Sequence, residues 1–137
     1  FAAAVDLPQH LARLKLADLF LDGLPYNAHT TASDALWAGV PLLTCRGTAF
    51  AGRVAASLLT AAGVPELITE SLAEYEMRAV ALAGDAGALK ALREKIATNR
   101  TSCALFDTRR TTRHIEAAYR GMWERRDAGP SGFSVGE

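Results

Sequence analysis

Two short apolar runs, each ended by a polar residue, decide how this chain folds: Leu19-Phe20-Leu21-Asp22 and Val40-Pro41-Leu42-Leu43-Thr44. Neither alternates as a half-exposed strand would, and both are too short for a helix. They read as strands of a sheet covered on both faces. Pro41 stands near the start of its run, where a missing ladder donor is tolerated. Between the runs lie a polar loop, Leu24-Pro25-Tyr26-Asn27-Ala28-His29, and a helix over residues 30–38 stopped by Gly39. Thr31 with Asp34 three residues on matches a capping box, with Asp in place of Glu. A long apolar helix over 50–62, closed by Gly63, leads to a third strand over 64–69. Strand, helix, strand, helix, strand with short links is the sequence form of crossover units in a parallel sheet.

Outward from this centre the pattern is helical. A short helix over 8–15 precedes it, with Pro8 at an early position that helices accept. Helices over 72–82, 88–100 and 111–126 follow, the last capped by Asp107 or Thr108. The expected class is α/β, a parallel sheet of about three strands followed by helices. Residues 128–137 are rich in Gly, Ser and Pro and are expected to fray as a flexible tail beyond a folded part over 1–127. The opening Phe1-Ala2-Ala3-Ala4-Val5 reads as the end of a strand. A three-stranded parallel sheet also calls for neighbours at its open edge, so a piece of a longer protein is expected.

Composition narrows the function. The 137 residues are 50% hydrophobic and 22% charged, with 15 Lys+Arg against 15 Asp+Glu. A balanced charge argues against nucleic acid or an anionic membrane as a partner held by electrostatics alone. No apolar run approaches the roughly 20 residues of a membrane span. Cys45 and Cys103 lack the paired spacing of a zinc or redox site and read as small buried hydrophobes in a reducing compartment. Asn99-Arg100-Thr101 matches a glycosylation sequon, a three-residue pattern frequent by chance.

In open parallel sheets, ligands bind beyond the carboxyl ends of the strands. There His29-Thr30-Thr31 offers an imidazole, two hydroxyls and free N–H groups at the positive end of a helix, all suited to phosphate oxygens. The plainer alternative is that Thr31 caps the helix and His29 is a loop histidine. Asp34 either supports the cap or accepts from hydroxyls, as ribose-binding carboxylates do. His10 and Arg13 share a helix face, either stacking on a base or forming a solvated basic face. Arg53 reads as a surface cation. On the last helix, Tyr119 and Trp123 form an apolar stripe, core or docking surface, beside a basic face diluted by Glu116 and Glu124. No HExxH, GxGxxG, GxSxG or Walker-type pattern occurs. His29 and His114 are general-base candidates by residue type only.

Taken together, Ala17-Asp18-Leu19-Phe20-Leu21-Asp22, Tyr26-Asn27-Ala28-His29-Thr30-Thr31, Asp34-Ala35-Leu36-Trp37-Ala38-Gly39-Val40-Pro41, the run from Arg53 to Ile68 and Glu74-Tyr75-Glu76 closely resemble the C-terminal catalytic region of the protein O-GlcNAc transferase family, SPINDLY-type O-fucosyltransferase relatives included. The similarity extends over nearly the whole chain. It implies the C-terminal Rossmann-like half of a two-domain GT-B glycosyltransferase. It further implies a UDP-GlcNAc donor as substrate, protein Ser and Thr hydroxyls as acceptors, no metal or other cofactor, and a cytoplasmic enzyme. His29, Thr30 and Thr31 would contact the diphosphate, Asp34 the ribose, and His10 and Arg13 the uracil. The other Rossmann-like domain and the TPR repeats of such enzymes would lie upstream. GDP-fucose in the same fold, or a non-catalytic interaction module, are the alternatives. Leu7 stands where the family carries a lysine.

Overall fold

The computed structural model of the chain describes residues 2–126. Residues 2–6 form no regular element, so the strand end expected there is absent, and they are exposed. The tail expected over 128–137 lies outside the described residues. Helix α1 (Leu7–Leu14) starts at Asp6, whose carboxylate accepts from the Gln9 N–H at 2.9 Å, and Pro8 sits in its first turn. Strand β1 (Phe20–Leu21), helix α2 (Thr30–Ala38) and strand β2 (Leu42–Cys45) follow. Gly39 ends α2 in the left-handed region, φ 83°, donating back to Ala35 and Leu36 as only a residue without Cβ does readily.

The three strands are parallel in the order β1-β2-β3, where β3 is Ile68–Thr69. Phe20 pairs with Leu42, Leu21 with Leu43, Thr44 with Ile68 and Cys45 with Thr69. Every residue of β2 is buried, as a central parallel strand with helices on both faces requires. Strand β1 departs from its expected full burial: Leu21 is 55% exposed, because β1 is a sheet edge. The third strand is shorter than 64–69, since Pro65–Leu67 closes into a 3-10 turn before it.

The helix expected over 50–62 is broken. Phe50–Gly52 forms a separate 3-10 turn, and α3 runs only over Val54–Ala61. Close backbone packing explains the break: the Gly47 N–H donates to the Gly52 carbonyl at 2.7 Å. A Cβ on Gly52 would come within 3.0 Å of the Pro25 carbonyl and 3.2 Å of Gly47 Cα. Helices α4 (Leu72–Ala83), α5 (Ala86–Asn99) and α6 (Thr108–Glu124) complete the chain, their starts held by the side chains of Ser71, Asp85 and Asp107. On α6, Tyr119 and Trp123 are 67% and 68% exposed, so that stripe is surface rather than core.

The core gathers Leu36, Leu42, Leu43, Leu59, Val64 and Leu67 under α2 and α3, with Leu82, Leu92 and Ile96 brought in by α4 and α5. Asn99 is structural. Its amide donates to the carbonyls of Ala62 (2.9 Å) and Gly63 (3.3 Å), joining α5 to the end of α3, where Gly63 takes φ 75°. Leu59, fully buried, anchors the same helix. Leu59→Ala should destabilise the protein by about 2–5 kcal/mol in urea unfolding, and Asn99→Ala by about 1–3 kcal/mol through two carbonyls left without a donor.

Candidate functional site

The carboxyl ends of the strands open onto the loop over 22–29 and the N-terminus of α2. The N-cap residue of α2 is His29, and no side chain caps the helix. Ser33 donates to the His29 carbonyl at 3.1 Å, so the N–H groups of Thr30, Thr31 and Ala32 precede the first helical hydrogen bond. The capping box expected of Thr31 and Asp34 does not form. Thr31 already lies inside the helix, whereas a capping residue must stand just before it in non-helical geometry. Both threonines are exposed, and their hydroxyls make no hydrogen bond among the described residues. The end of α2 thus presents unspent donors to solvent, with the positive end of the helix dipole behind them.

His29 is fixed by rings. Tyr26 stacks on it with centroids 5.0 Å apart at 18°, and Phe50 meets it edge-on at 6.4 Å and 87°. Its Nε2 is buried without a hydrogen-bond partner in the described structure. Asp34 lies past the first turn and faces α1, its Oδ2 3.7 Å from His10 Nε2, both side chains half-buried. Arg13 approaches His10 Nδ1 at 3.5 Å and donates to the Ala3 carbonyl at 3.0 Å. The fold therefore brings His10, Arg13 and Asp34 into one cluster. His29, Thr30 and Thr31 lie one turn earlier on the same helix. Leu7 sits a turn before His10 on α1, 60% exposed. Arg53 is exposed at the start of α3, in a shallow groove with Arg46, Ser57 and Thr60.

Sequence reasoning missed what holds the loop. Asp22, taken as a strand terminator, is only 5% exposed. Its Oδ1 accepts from the Ala28 N–H at 2.7 Å and its Oδ2 from the Thr44 hydroxyl at 2.6 Å. Its carbonyl accepts from the Tyr75 hydroxyl at 3.1 Å, which ties α4 to the same point. The Thr69 hydroxyl in turn donates to the Thr44 carbonyl at 2.9 Å. An acid directly after a buried strand, at the sheet's carboxyl end, was the available signal. Asn27 braces the loop from the other side, its N–H on the Ala51 carbonyl at 3.0 Å and its amide on the Gly23 carbonyl at 3.3 Å.

Among the described residues, no three His, Cys, Asp or Glu side chains converge where they could hold a metal ion. No described helix is long and apolar enough to cross a membrane.

A parallel sheet with a bare helix N-terminus at its carboxyl edge is the arrangement at which open α/β folds receive their ligands. The comparisons make this specific. Residues 1–115 match the family model described as glycosyl transferase family 41, and the chain belongs to that family. It is 42% identical over 130 residues to a probable UDP-N-acetylglucosamine–peptide N-acetylglucosaminyltransferase, SEC, of Arabidopsis thaliana, covering 93% of this chain and 13% of that protein. The corresponding enzyme of Caenorhabditis elegans is 41% identical over 129 residues, 94% of this chain and 11% of that one. A probable enzyme of the same description from Hordeum vulgare, SPINDLY, is 37% identical over 116 residues, 85% of this chain and 12% of that one. A solved structure of a Thermobaculum terrenum O-GlcNAc transferase mutant superposes with a TM-score of 0.82 at 37% identity, covering 89% of this chain and 24% of that one. The fold is that of part of the C-terminal Rossmann-like half of a GT-B glycosyltransferase, and the chain spans only about an eighth of these curated relatives' length.

Burial, with the charges of Asp22 and Cys45 nearby, raises the Tyr75 phenol above its ordinary 10.0, against the hydrogen bond to the Asp22 carbonyl. Tyr75 therefore stays a neutral donor, and its contribution to stability is present below 10 and lost as pH rises through the raised value. An absorbance titration of the tyrosines should show one group ionising late, and Tyr75→Phe should remove that component.

Proposed function

We propose that this chain is the donor-binding part of a protein O-GlcNAc transferase, which moves N-acetylglucosamine from UDP-GlcNAc to Ser and Thr hydroxyls of proteins. The observation that carries the reading is the uncapped start of α2 beside the His10–Asp34 cluster, in a chain of this family. On this reading the N–H groups and hydroxyls of Thr30 and Thr31, with His29, receive the diphosphate, Asp34 the ribose, and His10 and Arg13 the uracil. Transfer is then a single displacement. The acceptor hydroxyl attacks the anomeric carbon, the bond to the diphosphate breaks, and the charge left on UDP is met by preorganised donors without a metal ion. No residue of this chain is assigned as the base. The acceptor-side domain and the repeats that select protein substrates are expected elsewhere in the full-length protein. Cys45 and Cys103 are both free thiols, in keeping with the proposed cytoplasmic setting.

The resemblance to SPINDLY-type O-fucosyltransferases keeps a GDP-fucose donor as the second reading, and Leu7 in place of a cation keeps a non-catalytic module as the third. Titration of the full-length protein with UDP and GDP, followed by transfer assays with labelled GlcNAc and fucose, separates all three. UDP is expected to bind, and His29→Ala or Asp34→Ala to weaken it about tenfold or more, about 1.4 kcal/mol. Unchanged affinity in both variants would sink the site assignment. Absence of transfer of either sugar would favour the interaction module.

A further inference from the structure

We infer that Asp22 is a positioning residue of the donor site, holding the loop over 22–29 so that His29 and the first N–H groups of α2 stand where the diphosphate is received; this rests on the functional reading above. The carboxylate is nearly sealed from water, and each of its oxygens has one donor, the Ala28 N–H on one side and the Thr44 hydroxyl on the other. The backbone of Asp22 is spoken for as well, its N–H by the Leu43 carbonyl at 3.0 Å and its carbonyl by the Tyr75 hydroxyl.

These bonds act at a telling place. Ala28 is the residue immediately before the N-cap of α2, so the N–H that meets the carboxylate lies two residues before the first helical residue. Charge-assisted bonds of this kind are short and directional, and breaking one in a buried setting strands an ion. The loop's far end is thereby pinned to its near end, and both to the central strand through Thr44. A loop held only by its covalent ends would let the helix start wander. A misplacement of about 1 Å in a reacting site can cost on the order of 100-fold in rate. Of the other braces, Asn27 bonds to the Ala51 and Gly23 carbonyls and touches neither α2 nor its cap, and the Tyr26 and Phe50 rings hold the His29 side chain rather than the backbone that leads into the helix.

Two measurements on the full-length protein test this: UDP affinity by calorimetry well below the melting temperature, and hydrogen exchange by peptide. Asp22→Ala should weaken UDP about tenfold or more and speed exchange over residues 23–31, while peptides from α3 and α5 stay protected. Asp22→Asn keeps an acceptor for the Ala28 N–H and gains a donor for the Thr44 oxygen, so it should stay within about threefold of the parent. Parent-like affinity in Asp22→Ala, or exchange that rises evenly across the core, overturns the inference and leaves Asp22 as a core brace. If Asp22→Ala gives no cooperative melt, Thr44→Val carries the test, with the same local exchange expected and unchanged exchange overturning it. Should the parent bind neither UDP nor GDP, the functional reading fails, and exchange over 23–31 alone decides whether Asp22 holds the loop.

Discussion

A carboxylate removed from water must be given donors or it unfolds what surrounds it. At the carboxyl end of this sheet that carboxylate is Asp22: its two donors come from the loop after β1 and from strand β2, and its main-chain carbonyl takes a further bond from helix α4. Thr44 and Thr69 extend the chain of bonds across all three strands. Polar groups thus knit the carboxyl end of the sheet, while the side chains of Leu42, Leu43, Leu59 and Leu67 fill the apolar core. The division is physically sensible. Apolar packing is non-directional and tolerates small shifts, whereas a hydrogen-bonded network admits one geometry.

The neutral charge of the chain takes on meaning beside this arrangement. A site for a doubly charged diphosphate does not need a basic protein if its donors are backbone N–H groups aligned by a helix. The exposed Thr30 and Thr31 offer such groups, and the absent side-chain cap leaves them unspent. Formal cations near the site are few, and Arg13 is already engaged with the Ala3 carbonyl. Leu7, exposed on the same helix, adds no charge there. Affinity in such a site depends on placement more than on summed charge, which is why the loop that sets the placement matters.

Much of this was legible in the sequence. The apolar runs at 19–22 and 40–44, the stops at Gly39 and Gly63, and Asp107 as one of the two caps offered for the last helix were read from local chemistry and recur in the structure, although that helix starts at Thr108 rather than at 111. The errors share one cause, tertiary packing overriding local pattern. The helix expected over 50–62 looks continuous in apolar residues, but the close approach of Gly52 to Gly47 and to the Pro25 carbonyl goes with a tight turn at its start. Thr31 and Asp34 have capping-box spacing, yet the loop is delivered so that His29 occupies the cap. Leu21 belongs to an apolar run, but a strand at a sheet edge has a side left uncovered.

The sequence by itself determined the class and the strand–helix alternation of the crossover units and nominated the candidate residues around His29, because periodicity, turn residues and segment order are local properties that survive without coordinates. Tertiary structure alone decided that His10 of α1 meets Asp34 of α2, that Tyr26 and Phe50 clamp the His29 ring, and that Asp22 is a buried ion rather than a strand terminator. Each of these joins groups that lie apart along the chain, in most cases on different elements. Whether such groups meet is set by how helices and strands pack against a shared core, and that packing is a property of the whole chain.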